Sequence, residues 1–193
     1  MKKIFVIADT HNRIVEPPRN YDVTIHAGDC INAMMHTRYE YQDHVNAFRK
    51  YDYQVIGNHE DMSFYSQSSM VRNKITELNA DSQTWLRQLR SEPVWEFSVS
   101  GIRFRLSHYI DADPVTIAGQ PLTPAAEMEI ITAIANTKKY DVIIYGHTHE
   151  PFIKKINGVW IINSGHGEYN EYAEIIIDDD CEIKIELKIL MEK

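Results

Sequence analysis

The sequence predicts an α/β domain of two packed mixed β-sheets flanked by helices, an αββα sandwich. Three observations lead there. Short runs of branched apolar residues recur along the 193 residues, and each stops at a polar cluster. Between them lie segments with apolar residues at helical spacing, and the C-terminal segment alternates apolar and charged residues as a half-buried strand does. No internal repeat, low-complexity tract or linker interrupts the pattern, so residues 1–193 read as one domain.

Residues 4–8 are continuously apolar, as suits a strand buried on both faces, and end at Asp9-Thr10-His11-Asn12. Pro17-Pro18 and Asn20 break the chain before a second strand, 22–27, which ends at Gly28-Asp29. Tyr41, Val45 and Phe48 stand at helical spacings within 39–50, and a third strand, 53–56, ends at Gly57-Asn58-His59-Glu60. From 61 to 80 the chain is polar and weakly patterned, which predicts a long loop or irregular helical segment. Asp81 is placed to cap a short helix burying Trp85, Leu86 and Leu89. Ser100-Gly101 joins 94–99 to 102–106 as a hairpin whose second strand delivers Ser107-His108. Thr123 as a cap, with Pro124 at the first helical position, opens a helix through Lys138 that buries Met128, Ile131, Ile134 and Ala135. Another buried strand, 142–145, ends at Gly146-His147-Thr148-His149, and Asn157-Gly158 turns 152–156 back onto 159–162. In the last strand Ile183, Ile185, Leu187 and Ile189 face one way, while Lys184, Glu186 and Lys188 face water.

Composition narrows the function. Twenty basic against 28 acidic residues give a net charge of −8, which argues against general nucleic-acid binding or an acidic membrane surface, because phosphate-backbone affinity needs clustered basic groups. No apolar run approaches the ~20 residues that cross a bilayer. The apolar segment after Met1-Lys2-Lys3 breaks at Asp9, short of the ~7 to 15 residues of a signal-peptide core. These features predict a soluble cytoplasmic protein, and no pattern fixes its oligomeric state. Cys30 and Cys181 are too few for a disulfide framework or a cysteine-rich zinc module.

Eight strand-end residues stand out: Asp9, His11, Asp29, Asn58, His59, His108, His147 and His149. In parallel-type α/β sheets such strand ends gather on one edge, where ligands bind. Carboxylate, imidazole and amide donors suit divalent Mn, Fe, Zn or Ni. Taken singly, each residue also reads as a hydrogen-bonded strand-end residue.

In this order, Asp9-Thr10-His11, Gly28-Asp29, Gly57-Asn58-His59-Glu60, the isolated His108 and Gly146-His147-Thr148-His149 resemble the five signature blocks of the calcineurin-like metallophosphoesterases. The resemblance spans nearly the whole chain. It implies the metallophosphoesterase fold and two divalent metal ions, manganese first, with iron, zinc or nickel as alternatives. One ion would be held by Asp9, His11 and His149, the other by Asn58, His108 and His147, and Asp29 would be shared by both. The family chemistry is in-line attack on a phosphate ester by a hydroxide between the ions, whose proton is lost near neutral pH because two cations stabilise the anion. His59 would protonate the leaving oxygen or stabilise the phosphoryl charge. The size is similar to that of the small phosphodiesterases of the superfamily, so hydrolysis of a small phosphodiester is the expected activity. The alternatives are a metal-dependent phosphomonoesterase, acting on phosphoproteins or nucleotides, and a metal-binding scaffold without turnover. Retention of His59 and all seven ligand positions counts against the scaffold.

The chain departs from the pattern in places. Asp29 is followed by Cys30-Ile31-Asn32-Ala33 rather than the acid-arginine-glycine extension of the Ser/Thr protein phosphatases, which removes the usual carboxylate partner of His59. Cys30 either touches the metal shell or packs as a small apolar group. His26 reads as structural, and His36 and His44 as surface residues. Asn163-Ser164-Gly165-His166 replaces the asparagine-proline-glycine-serine turn of small relatives, so His166 either lines the pocket rim or is structural. Arg13, Arg19 and Arg38 lie in loops, where they approach the site or are simply solvated. Two bound divalent cations would halve the net charge, so bulk acidity does not oppose a phosphate substrate.

Overall fold

The computed structural model describes residues 1–32, 41–65, 76–110 and 124–191, with 62–65 and 124–125 described by their backbone alone. In chain order the elements are β1 (Lys2–Ile7), β2 (Val23–His26), α1 (Tyr41–Phe48), β3 (Tyr53–Gln54), α2 (Asn58–Tyr65), α3 (Ala80–Ser91), β4 (Val94–Val99) and β5 (Ile102–Ser107). They continue as α4 (Pro124–Asn136), β6 (Val142–Tyr145), β7 (Phe152–Ile156), β8 (Val159–Asn163), a 3₁₀ turn (Gly167–Tyr169), β9 (Glu171–Ile177) and β10 (Ile183–Ile189).

Two five-stranded sheets result, ordered β10-β9-β1-β2-β3 and β4-β5-β6-β8-β7. β1, β2 and β3 run parallel, while β9 and β10 extend that sheet antiparallel. In the other sheet β5, β6 and β8 run parallel between antiparallel edges β4 and β7. Both sheets are mixed, as the sequence predicts. Alternation along β1 sends Ile4 and Val6 into the layer between the sheets, against residues such as Phe104, Leu106, Ile144 and Ile175, while Phe5 and Ile7 face the other side with Tyr51. Each such burial is worth ~1.5 to 3 kcal/mol, and a one-residue slip would reverse every face, so this layer sets the register. Val45 and Phe48 of α1 pack with Leu86 and Leu89 of α3. Ile131 and Ala135 of α4 cover Ile143 and Ile161 on the second sheet. Among the described residues no helix is long and apolar enough to cross a membrane.

The structure corrects several expectations. Asn79, not Asp81, caps α3, its side chain accepting from the Ser82 N–H at 2.8 Å. Strand β3 keeps two residues, and Asn58 opens a helix instead of a loop, because tertiary bonds hold that first turn where no apolar stripe does. His44 is buried on the inner face of α1, with its Nδ1 3.1 Å from the Cys30 carbonyl. Leu187 and Ile189 are exposed, since β10 is a sheet edge and only Ile183 and Ile185 reach the inter-sheet layer. Strand β9, which the sequence analysis does not assign, lies between β1 and β10 with Ala173, Ile175 and Ile177 fully buried. Thr123, His36 and Arg38 lie outside the described residues.

The acidic Glu174 is what masks β9. It is buried, accepts from the Tyr21 hydroxyl at 2.8 Å and pairs with Lys188. Burial raises its pKa, but the bonds from Lys188 and Tyr21 outweigh it, so the folded value lies below the ordinary 4.5. A depressed carboxyl contributes stability above its unfolded pKa and loses it as pH falls through the folded value. Glu174→Gln is therefore expected to cost about 1 kcal/mol at pH 7. That deficit should vanish as urea melts are repeated below pH 4.5.

Candidate metal centre

Six strands that run parallel within their sheets, β1, β2, β3, β5, β6 and β8, end on this site. Asp9 and His11 follow β1, Asp29 follows β2, Asn58 and His59 open α2 after β3, His108 follows β5, and His147 and His149 follow β6. Backbone bonds lace these ends together: Asp9 N–H to the Gly28 carbonyl (2.9 Å), His11 N–H to Asp29 (3.0 Å) and Gly146 N–H to His108 (3.1 Å). Asp9, His11, Asp29, His147 and His149 all have positive φ, between 45° and 71°. Non-glycine residues adopt this conformation at a cost and cluster in it at functional sites. Gly28 has φ 95°, and a Cβ there would come within 2.6 Å of His108 Nδ1. At Gly57 a Cβ would come within 2.1 Å of Asp29 Oδ1.

The side chains form two groups. On one side His11 Nε2 faces His149 Nε2 at 3.1 Å, and His149 Nε2 lies 3.3 Å from Asp9 Oδ1. On the other, Asn58 Oδ1 lies 2.9 Å from His147 Nδ1 and 3.1 Å from His108 Nε2. Asp29 sits between: its Oδ2 is 3.4 Å from His108 Nε2, and its Oδ1 accepts the His59 N–H at 2.8 Å. Donor atoms of Asp9, Asp29 and His108 lie within 4.8 Å of one another, as do those of His11, Asp29 and His59. All eight strand-end residues thus come together.

The chemistry of the donors calls for cations. Asp9 and Asp29 are buried side by side, and Asp9 Oδ1 has no hydrogen bond. Like charges so placed need an opposite charge among them. His108 Nδ1 must donate to the Ala27 carbonyl at 2.7 Å, which turns the Nε2 lone pair toward the oxygens of Asn58 and Asp29. A cation at that point, whether a proton on Nε2 or a metal ion, resolves the repulsion. Burial lowers the His108 pKa, but Asp29 outweighs it and pushes it up to about 9. Burial raises Asp29 in turn, and His108 outweighs it, holding the carboxyl well below the usual range. His147 falls to about 4 through burial and the nearby His108. The Asp9 carboxylate 3.3 Å away raises His149, and burial lowers His59. The donor set fits divalent metal ions.

A profile of the calcineurin-like phosphoesterase superfamily domain matches residues 1–174. The chain belongs to this superfamily. It is 21% identical to a phosphodiesterase from Methanocaldococcus jannaschii over 199 residues, covering 91% of this chain and 99% of that protein. The fold is similar to that of a metallophosphoesterase from Sphaerobacter thermophilus, at 16% identity and a TM-score of 0.70, covering 98% of this chain and 88% of the other. It is also similar to Vps29 from Entamoeba histolytica complexed with zinc, at 15% identity and a TM-score of 0.51, covering 97% and 98%.

Other residues shape this phosphoesterase site without having been assigned to it from sequence. Glu60 is fully buried and accepts from the backbone N–H of Asp29 (2.9 Å), Ile31 (2.9 Å) and Gly57 (2.7 Å). Asn163 donates from Nδ2 to the Gly146 carbonyl (2.9 Å) and to Thr148 Oγ1 (3.0 Å), fixing the loop that carries His147 and His149. An asparagine at the end of an apolar strand was the available signal. His26 is structural, as expected: Gly28 N–H donates to its Nδ1 at 3.2 Å, so Nε2–H donates to Thr10 Oγ1 at 3.1 Å. Burial of Cys30, with Glu60 beside it, pushes its thiol well up, and it packs with Ile31 and Tyr41 as an apolar group. Arg19 is exposed, and Arg13 lines a small cavity with Thr10, His26 and His44.

Proposed function

We propose that this chain is a two-metal phosphodiesterase acting on a small phosphate diester. Asp9, His11 and His149 would hold one divalent ion and Asn58, His108 and His147 the other, with Asp29 between them. The observation that carries this reading is the placement of Asp29 against both donor groups, with Asp9 Oδ1 turned toward His149 Nε2 beside it. The ions, manganese first, supply Lewis acidity toward phosphoryl oxygens and toward the attacking water. The chain's own part is positional. The Ala27 carbonyl fixes the tautomer of His108, and the His147 N–H, donated to Asp9 Oδ2 at 3.1 Å, leaves Asp9 Oδ1 to face the site. Its backbone bond to Asp29 sets the His59 ring 4.8 Å from the ring of His11. Burial lowers the His59 pKa, and an anionic phosphate arriving beside it would raise it again. His59 would then take up a proton with the substrate and deliver it to the leaving oxygen from a ring nitrogen.

The test is hydrolysis of bis-p-nitrophenyl phosphate against p-nitrophenyl phosphate by manganese-loaded protein. Faster turnover of the diester is expected. Turnover of the monoester alone would make the protein a phosphomonoesterase, and no hydrolysis of either would leave the scaffold. His59→Ala is expected to retain both metals and lose about 10²- to 10⁴-fold in kcat. Full activity in a metal-loaded variant would remove His59 from the chemistry.

A further inference from the structure

We infer that His166 is an additional nitrogen ligand of the cation held by Asp9, His11 and His149, so that this side presents three imidazoles beside the carboxylates of Asp9 and the shared Asp29. The inference rests on the two-metal reading above. His166 lies outside the five signature blocks, in the turn that follows β8. One of its ring nitrogens lies within 4.8 Å of the ligand nitrogens of both His11 and His149. Its Nε2 is buried and has no hydrogen bond. The nearby Glu168 carboxylate stands 3.6 Å from that nitrogen, and its other oxygen is engaged by Asn12 at 2.9 Å. A buried polar atom without a partner is costly, and a ligand in the site would relieve it.

The turn is built to hold this ring in place. Gly167 N–H donates to the Ala8 carbonyl at 2.9 Å and Glu168 N–H to the Asp9 carbonyl at 3.1 Å, which ties the turn to the strand end carrying Asp9. The His166 N–H donates to Glu171 Oε2 at 2.7 Å. Gly165 has φ 86°, and a Cβ there would come within 2.3 Å of the same Glu171 oxygen. The His166 ring stacks on His149 at 4.2 Å and 13°, with Tyr169 edge-on at 4.4 Å. The turn thus confines the ring beside the site; because an imidazole binds a cation in its own plane and the two stacked rings lie nearly parallel, one ring must turn about its side-chain torsions for His166 and His149 to share the ion.

The consequence is an asymmetric centre. Imidazole suits zinc, iron and nickel better than manganese, so the Asp9 side would select the more nitrogen-loving ion, while the side with the Asn58 oxygen tolerates manganese. The experiment titrates chelator-treated protein with Zn(II) by calorimetry and records the visible spectrum of the Co(II)-loaded form. It compares wild type with His166→Ser and with His166→Phe, which keeps the stacked ring and removes both nitrogens. In both variants one of the two Zn(II) dissociation constants should rise by about 10- to 100-fold, the other should hold, and the Co(II) d–d bands should change. Wild-type affinities and spectrum in His166→Phe would overturn the inference and make the ring a packing element, leaving the two-metal reading intact. Failure of wild type to bind Zn(II) would overturn both.

Discussion

Asp29→Asn is expected to release metal and abolish turnover while leaving the fold unharmed. The asparagine oxygen can keep the His59 N–H bond that Asp29 Oδ1 accepts at 2.8 Å, so the backbone there has no reason to move. What disappears is the negative charge between the two donor groups, together with the lone pairs that face His108. An amide in that place offers N–H to His108 Nε2 and nothing to a cation. Loss of activity by at least ~10³-fold is expected if Asp29 holds both ions as proposed, since the ions would supply the charge stabilisation. Metal content by atomic emission should fall below two ions per chain. Stability in chelator should fall at pH 7, because the fold holds the buried Asp29 and His108 charged against each other and removing one partner of such a pair is destabilising. Burial and the Asp29 charge hold Glu60 up at about 7, above its ordinary 4.5. A carboxyl raised in this way makes stability fall as pH rises between those two values. In Asp29→Asn that slope should flatten, which urea melts at pH 4.5 and 7 will register. A variant that binds two metals and turns over normally would remove Asp29 from the centre.

Why the sequence revealed the strand-end residues but not their supports follows from where each signal resides. An apolar run that stops at Asp9, Asp29, His108 or His147 is visible because the apolar core forces the run and the polar cluster at the strand ends, itself buried at Asp9, Asp29 and His108, forces the change of residue type. The convergence of those ends follows from the gathering of parallel-type strand ends on one edge, while their division into two donor groups came from the family resemblance. Glu60 belongs to the Gly57-Asn58-His59-Glu60 segment, yet its role depends on three backbone groups from Gly57, Asp29 and Ile31, and such partners leave no mark in residue type. His44 was read as exposed because histidine usually is, while its place on the inner face of α1 depends on the Cys30 carbonyl. Strand β9 was hidden because Glu174 breaks its apolar run, and only Tyr21 and Lys188 make a carboxylate tolerable there. His166 was visible as an unusual residue. Its relation to His11 and His149 was not, because Gly167 and Glu168 set it through bonds to Ala8 and Asp9 far away in sequence.

Glu60→Ala should be the most destabilising single change near the centre. The carboxylate is the sole acceptor seen for the N–H groups of Gly57, Asp29 and Ile31 among the described residues, and it joins the exit of β2 to the first turn of α2. Truncation leaves three buried donors, each costing ~1 to 3 kcal/mol, with water entering the void to recover part. A net loss of about 3 to 5 kcal/mol is expected. Glu60→Gln separates hydrogen bonding from packing. Its oxygen can keep the two bonds that Oε2 accepts, from Asp29 and Gly57, but its amide then points N–H at the N–H of Ile31. One broken bond out of three should cost about 1 to 3 kcal/mol. The order of stability is therefore wild type, Gln, Ala, measured by urea denaturation in chelator so that metal binding does not contribute. Metal affinity should follow the same order, because Asp29 holds its φ of 54° only while its N–H is anchored. Equal denaturation midpoints for wild type and Glu60→Gln would show that Glu60 fills space and does not organise the strand ends.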